Sequence, residues 1–170
     1  MKTLVVYYSR TGNTKRVAEC IADALGADLL QLTEQEDRQG ARGYVVAGWA
    51  AMRRKEAALD PLEKDPGDYD LVVVGTPVWA FTVTPAVRTF LNRYSSSIES
   101  TAFFCTMGGS GATRTFQEME SLCGAAPLAT LSLNDKQLKN EDVGEIVKPF
   151  AATIANALEK EPDQTPENEG

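Results

Sequence analysis

No histidine occurs anywhere in the 170 residues. Its absence removes the Ser-His and Cys-His arrangements that activate a hydroxyl or thiol nucleophile, and with them the commonest metal ligand. Cysteine is scarce, and Cys20, Cys105 and Cys123 contain no CxxC pair, so metal-ligand spacing is missing as well. Three thiols cannot complete a disulfide framework, and each lies in an apolar setting. Reduced core thiols in a cytoplasmic protein are the expectation.

Long apolar runs are lacking too. No stretch of 18 or more apolar residues exists, so no membrane span is expected. The opening MKTLVVYYSR superficially suits a signal peptide, but its apolar run ends after six residues with no small-residue cleavage site. A buried first strand is the better reading. Excess positive charge is also missing: the net charge of −7 argues against a nucleic-acid partner, whose phosphates need a basic surface. Residues 159–170 supply a net −4 of that total and carry Pro162 and Pro166, so 161–170 reads as an acidic, solvated tail. Residues 1–160 then form one domain, whose 43% hydrophobic content suffices for a core without staples.

What is present is an alternation. Leu4-Val5-Val6-Tyr7-Tyr8 is a continuous apolar run, as a strand buried on both faces requires. Thr14, Val17, Ala18, Ile21, Ala22 and Leu25 then recur at helical spacing, and Gly26 stops the helix. Asp28–Thr33 gives a weaker strand. Leu71–Gly75 is the clearest strand, entered through the turn-forming Pro66-Gly67-Asp68. Pro85–Tyr94 reads as a helix with Thr84 as N-cap. A strand over Ala102–Met107, a helix over Thr113–Cys123 and a strand over Leu128–Leu133 follow. A helix over about 140–159 closes the chain, with Pro149 marking a kink or break. Between them, 34–69 is hard to read: a short helix near 42–57 is expected, then a loop through Pro61 and Pro66. Such an alternation predicts an α/β fold, a doubly wound sheet of five parallel strands in order 2-1-3-4-5, covered by helices on both faces. Ligands in such folds sit beyond the carboxyl ends of the strands, where the order reverses between strands 1 and 3. The loops after strands 1, 3 and 4 should carry the chemistry.

The first of these loops is Ser9-Arg10-Thr11-Gly12-Asn13-Thr14, leading directly into a helix. A helix start offers unpaired N–H groups and the positive end of its dipole, which suit a phosphate. Four short polar side chains in six positions exceed what capping alone needs, and Gly12 lets the backbone close around an anion. It is not a nucleotide-triphosphatase loop, because the Gly-Lys-Ser/Thr ending is missing. The second loop, Thr76-Pro77-Val78-Trp79-Ala80-Phe81, places two aromatics where no core face demands them. The third, Met107-Gly108-Gly109-Ser110-Gly111-Ala112-Thr113, starts a GxGxxG pattern that Arg114 spoils, so it makes a poor dinucleotide fingerprint.

The segment VVYYSRTGNTKRVAECI resembles the flavodoxin N-terminal signature at Val5, Val6, Tyr7, Ser9, Gly12, Thr14, Ala18 and Ile21. The resemblance implies a flavodoxin-like three-layer fold with flavin mononucleotide (FMN) as cofactor and Ser9 to Thr14 around its phosphate. The Gly75-Thr76-Pro77-x-Trp79 pattern looks like the flavodoxin loop that lies along the isoalloxazine, which implicates Trp79; Phe81 divides between that role and packing on the sheet edge. The small residues of the third loop would let backbone approach the flavin pyrimidine ring. Familiar flavodoxins often cover the second ring face with an aromatic from this third loop, and 107–113 contain none. An electron carrier working with redox partner proteins is the leading expectation, with an acidic surface suited to basic partners. The alternative is an oxidoreductase on the same fold using NAD(P)H or a quinone at the uncovered face. A receiver-like signalling domain fits poorly, because Tyr7 to Arg10 supply no acids for its metal. The aromatic-bearing 34–69 stretch is read either as a cover over the cofactor or as a homodimer surface.

Overall fold

The structure, a computed structural model, describes residues 1–35 and 56–159. Five strands form one parallel sheet: β1 (Thr3–Tyr7), β2 (Asp28–Gln31), β3 (Leu71–Pro77), β4 (Ser100–Met107) and β5 (Thr130–Asn134). Their spatial order is β2-β1-β3-β4-β5, as the alternation predicts. The helices are α1 (Asn13–Leu25), α2 (Pro85–Tyr94), α3 (Ala112–Cys123), α4 (Asp135–Asn140) and α5 (Val143–Glu159).

Successive side chains on a strand point to opposite faces, so each central strand feeds two cores. Val5, Tyr7, Val73 and Phe104 pack with Ile21 of α1 and Val147, Phe150 and Ile154 of α5. Leu4, Val6, Val74 and Phe103 face the other way, onto Val87, Phe90 and Leu91 of α2 and Met119 of α3. Parallel strands buried on both sides have no polar face to show, which explains their unbroken apolar runs. Register draws the site together: Tyr7 pairs with Gly75, and Gly75 with Phe104. A Cβ on Gly75 would lie 2.0 Å from Phe104 Cζ, so the ring covers the bare backbone opposite it.

Several boundaries differ from expectation. The second strand ends at Gln31 rather than Thr33, and the fifth runs from Thr130 to Asn134 rather than from Leu128 to Leu133. The closing helix expected over about 140–159 is present as α5, Val143–Glu159, and the short helix α4 before it was not expected. Asn134 caps α4 through a reciprocal pair with Gln137, and Glu141-Asp142 separate the two helices. The helix continues through Pro149 unbroken. Thr84 does occupy the N-cap of α2 but makes no side-chain cap bond; its hydroxyl lies 3.4 Å from that of Thr76. The helix expected near 42–57 lies outside the described residues except for Glu56 and Ala57, which are not helical, and the acidic tail 161–170 lies outside them as well. The segment from Ala57 to Asp60 runs alongside α2 and residues 33–35, which follow β2. Ala57 N–H donates to Thr89 Oγ1 at 2.9 Å, and Glu34 and Leu59 form an antiparallel bridge. Among the described residues no helix is long and apolar enough to cross a membrane.

Candidate functional site

At the carboxyl ends of β1, β3 and β4 lies a cavity of about 660 Å³, within the usual range for small-molecule sites. Arg10, Thr11, Asn13, Thr14 and Arg16 form one wall. Pro77, Val78 and Trp79 form a second, Thr106, Met107 and Gly108 a third, and Asp135, Leu138 and Lys139 a fourth.

The first wall is a helix start with spare donors. Gly12, at φ 93°, turns the chain into α1 from the N-cap position and has no side chain to cap it. Ser9 Oγ accepts from the N–H groups of Gly12 and Lys15, both at 3.2 Å, and Arg16 N–H donates to Gly12 O at 3.0 Å. The N–H groups of Thr11, Asn13 and Thr14 find no acceptor among the described residues, which leaves donors and dipole for an anion. Thr14 is buried, and its hydroxyl is 2.8 Å from that of Thr106 on β4. Arg16 Nη1 donates to Leu138 O at 2.9 Å and ties α1 to α4. In a chain of net charge −7 the cavity nonetheless carries Arg10, Arg16 and Lys139 against a single acid, Asp135.

The second wall holds the aromatic platform. Trp79 meets Tyr8 edge-on at 5.7 Å and 89°, and the Arg10 guanidinium lies 5.8 Å from the Trp79 ring centre. Burial pushes the Tyr8 phenol above its ordinary value; Glu34 adds to the rise and Arg10 opposes it. Trp79 and Thr82 exchange backbone hydrogen bonds at 3.1 and 3.0 Å across a two-residue turn. The turn residues, Ala80 and Phe81, both have left-handed φ, 49° and 66°. Such a turn normally asks for Asn-Gly, and each non-glycine residue there costs roughly 1–2 kcal/mol. Strain of this kind concentrates at functional sites. Phe81 is 50% exposed.

The third loop locks against the second. Gly111 has φ 115°, and a Cβ there would lie 2.8 Å from Val78 Cγ1 and 3.2 Å from Phe81 Cδ1. Gly108 lines the cavity, where the missing side chain leaves room for close approach.

Of the sequence-predicted residues, Arg10, Thr11, Asn13, Thr14, Pro77, Val78, Trp79, Met107 and Gly108 come together around the cavity. Ser9 and Gly12 shape the first loop from behind. Thr76, Ala80, Phe81, Gly109, Ser110 and Gly111 do not line the cavity; Thr76 accepts from Thr84 N–H at 3.2 Å, and Gly111 supports the second loop. Sequence reasoning missed Arg16, Thr106 and the whole α4 wall. The one available signal for that wall was the Asn134-x-x-Gln137 capping box.

The donor set suits a phosphomonoester beside an aromatic heterocycle: bare amides and cations at one end, an indole and backbone without side chains at the other. Among the described residues no cluster of three or more Cys, Asp or Glu could hold a metal ion.

A family model described as flavodoxin matches residues 2–150. Among solved structures, a flavoprotein from Lactobacillus acidophilus in complex with FMN is 24% identical, with a TM-score of 0.63 over 81% of this chain and 96% of that one. A flavodoxin, WrbA-like protein from Agrobacterium tumefaciens is 17% identical, with a TM-score of 0.57 over 93% of this chain and 98% of that one. Rubredoxin oxygen:oxidoreductase from Desulfovibrio gigas is 15% identical, with a TM-score of 0.55 over 92% of this chain and 37% of that one. At these identities the likeness is one of fold. No curated protein sequence matches the chain.

Proposed function

Because this chain belongs to the flavodoxin family, we propose that it binds one FMN in the 660 Å³ cavity and serves as an electron carrier. The observation that carries the reading is the row of N–H groups at Thr11, Asn13 and Thr14 that find no acceptor among the described residues, on residues lining the space that Trp79 walls on another side. Those amides hold the phosphate, and Arg10, Arg16 and Lys139 offset its charge. Trp79 lies along the isoalloxazine, and Gly108 lets backbone approach the ring. When bound, FMN supplies one- and two-electron chemistry, while the protein orients it and tunes its electronics. No side chain of the site has to act as acid or base. Acidic faces suit basic redox partners, and three free cysteines fit the reducing cytoplasm.

The test is a titration of flavin-free protein with FMN and with riboflavin, followed by flavin absorbance and fluorescence. A saturable 1:1 FMN complex with much weaker riboflavin binding is expected. Equal affinity for the two would remove the phosphate site, and absence of any saturable complex would remove the whole reading.

A second reading has its own observation. Trp79 is the one aromatic lining the cavity among the described residues, and 107–113 supply none. An uncovered ring face would admit a nicotinamide or a quinone. Steady-state turnover of NADH or NADPH with a quinone, without any added reductase, makes the protein an enzyme; its absence leaves the carrier.

A further inference from the structure

Behind the strained turn lies a polar cluster that no cavity residue belongs to. The Thr82 hydroxyl donates to Glu118 Oε2, and Val83 N–H donates to the same oxygen at 3.3 Å. Arg88 reaches Glu118 Oε1 through Nε at 3.2 Å and Nη2 at 2.5 Å, and Nη2 also donates to Thr82 Oγ1 at 3.0 Å. Arg88 stands on α2 and Glu118 on α3, so two helices grip one residue of the turn. Thr82 in turn holds Trp79 through both backbone bonds.

The cluster is an odd choice for packing alone. Arg88 is only 7% exposed, and its Nη1 is buried without a partner among the described residues. A buried ion pair can often be replaced by apolar residues of similar volume at no loss of stability, so the fold by itself does not require one here. What an apolar pair could not do is fix Thr82. We infer that Arg88 and Glu118 are positioning residues for the ring side of the cavity. They fix the 79–82 turn, through it the Trp79 plane, and so the relative affinity of the site for oxidised and reduced flavin. The inference rests on the proposal that the cavity holds FMN, although the clamp itself is present in the protein alone.

The experiment uses the full chain carrying Trp49→Phe, which leaves Trp79 as the only indole. Against this parent stand the double variant Arg88→Met/Glu118→Leu and the single variant Thr82→Val. Thr82→Val cuts the link but keeps the ion pair, and covers the case in which the double variant fails to fold. Three readouts are taken: the urea midpoint, exchange of the backbone amide at position 82 with Trp79 fluorescence in flavin-free protein, and the midpoint potential of bound FMN. The expected result is a near-parent urea midpoint with the position-82 amide exchanging at least tenfold faster. The potential should move by about 59 mV, a tenfold change in relative affinity for one electron. Parent-like exchange, or faster exchange with an unmoved potential, overturns the inference and leaves an ion pair of packing significance. If the parent binds no FMN, the cavity reading fails separately; position-82 amide exchange and Trp79 fluorescence then judge the clamp, parent-like values overturning it and altered ones upholding it.

Discussion

Replacing Gly111 by Ala tests how tightly the two ring-side loops are fitted. The added methyl carbon would lie 2.8 Å from Val78 Cγ1 and 3.2 Å from Phe81 Cδ1, at a backbone φ of 115°. Holding a non-glycine residue at such an angle costs about 1–3 kcal/mol, and overpacking adds about 1–3 kcal/mol. The loop can escape part of this if Val78 retreats from 2.8 Å to the 3.4 Å of ordinary contact. That movement drags the turn carrying Trp79, so whatever the flavin-free protein avoids returns as weaker binding, tenfold for each ~1.4 kcal/mol. A total loss of about 2–6 kcal/mol, divided between urea unfolding and FMN titration, is therefore expected. Gly109→Ala is the control. No atom lies within 4 Å of its Cβ position, and a change within about 0.5 kcal/mol is expected. If both variants unfold and bind like the parent, the loops are not in contact as described, and the steric argument fails.

The remaining predictions concern titration. Tyr69 donates to Asp28 Oδ2 at 2.7 Å; this bond, then burial, pushes the phenol up to about 12, while Asp28 is lowered by the same bond and then by Lys64. A raised phenol contributes stability that is full below the ordinary value of 10.0 and lost as pH climbs toward 12. A lowered carboxyl contributes above its ordinary range, and that share is lost as pH falls through the lowered value. Tyr69→Phe should thus flatten both limbs of the urea-stability profile relative to the parent, and parallel profiles would contradict the assignment. Burial also pushes the Cys105 thiol to about 12 and the Cys123 thiol to about 11, and raises Cys20 as well. At pH 8 all three stay protonated and poorly nucleophilic. Iodoacetamide should label the native chain slowly, with Cys105 last and urea abolishing the protection; native Cys105 labelling at the unfolded rate would refute this.

Legibility in the sequence followed burial. Central strands such as Leu71–Pro77 announce themselves because two covered faces forbid polar interruptions. The edge strands β2 and β5 are partly exposed, mix polar residues with apolar ones, and had their ends misread. Helix α4 was invisible because six residues are too few to display a period. The anion loop could be read from its crowd of short polar residues. The turn opposite could not, since Ala80 and Phe81 carry none of the glycine or asparagine that usually betrays left-handed backbone. Arg88 and Glu118 sit on ordinary amphipathic helices, where a charge suggests solvent, and only the tertiary fold turns them inward.

The hydroxyls of Thr14 and Thr106 meet where the first and third walls of the cavity join, linking positions 92 residues apart. A graft of the Ser9–Thr14 segment onto another sheet would therefore arrive without its foundation, because half of the joint stays behind on β4. A substitution at either threonine takes this partner from the other's hydroxyl. The pocket is thus one joint made by two distant stretches of chain.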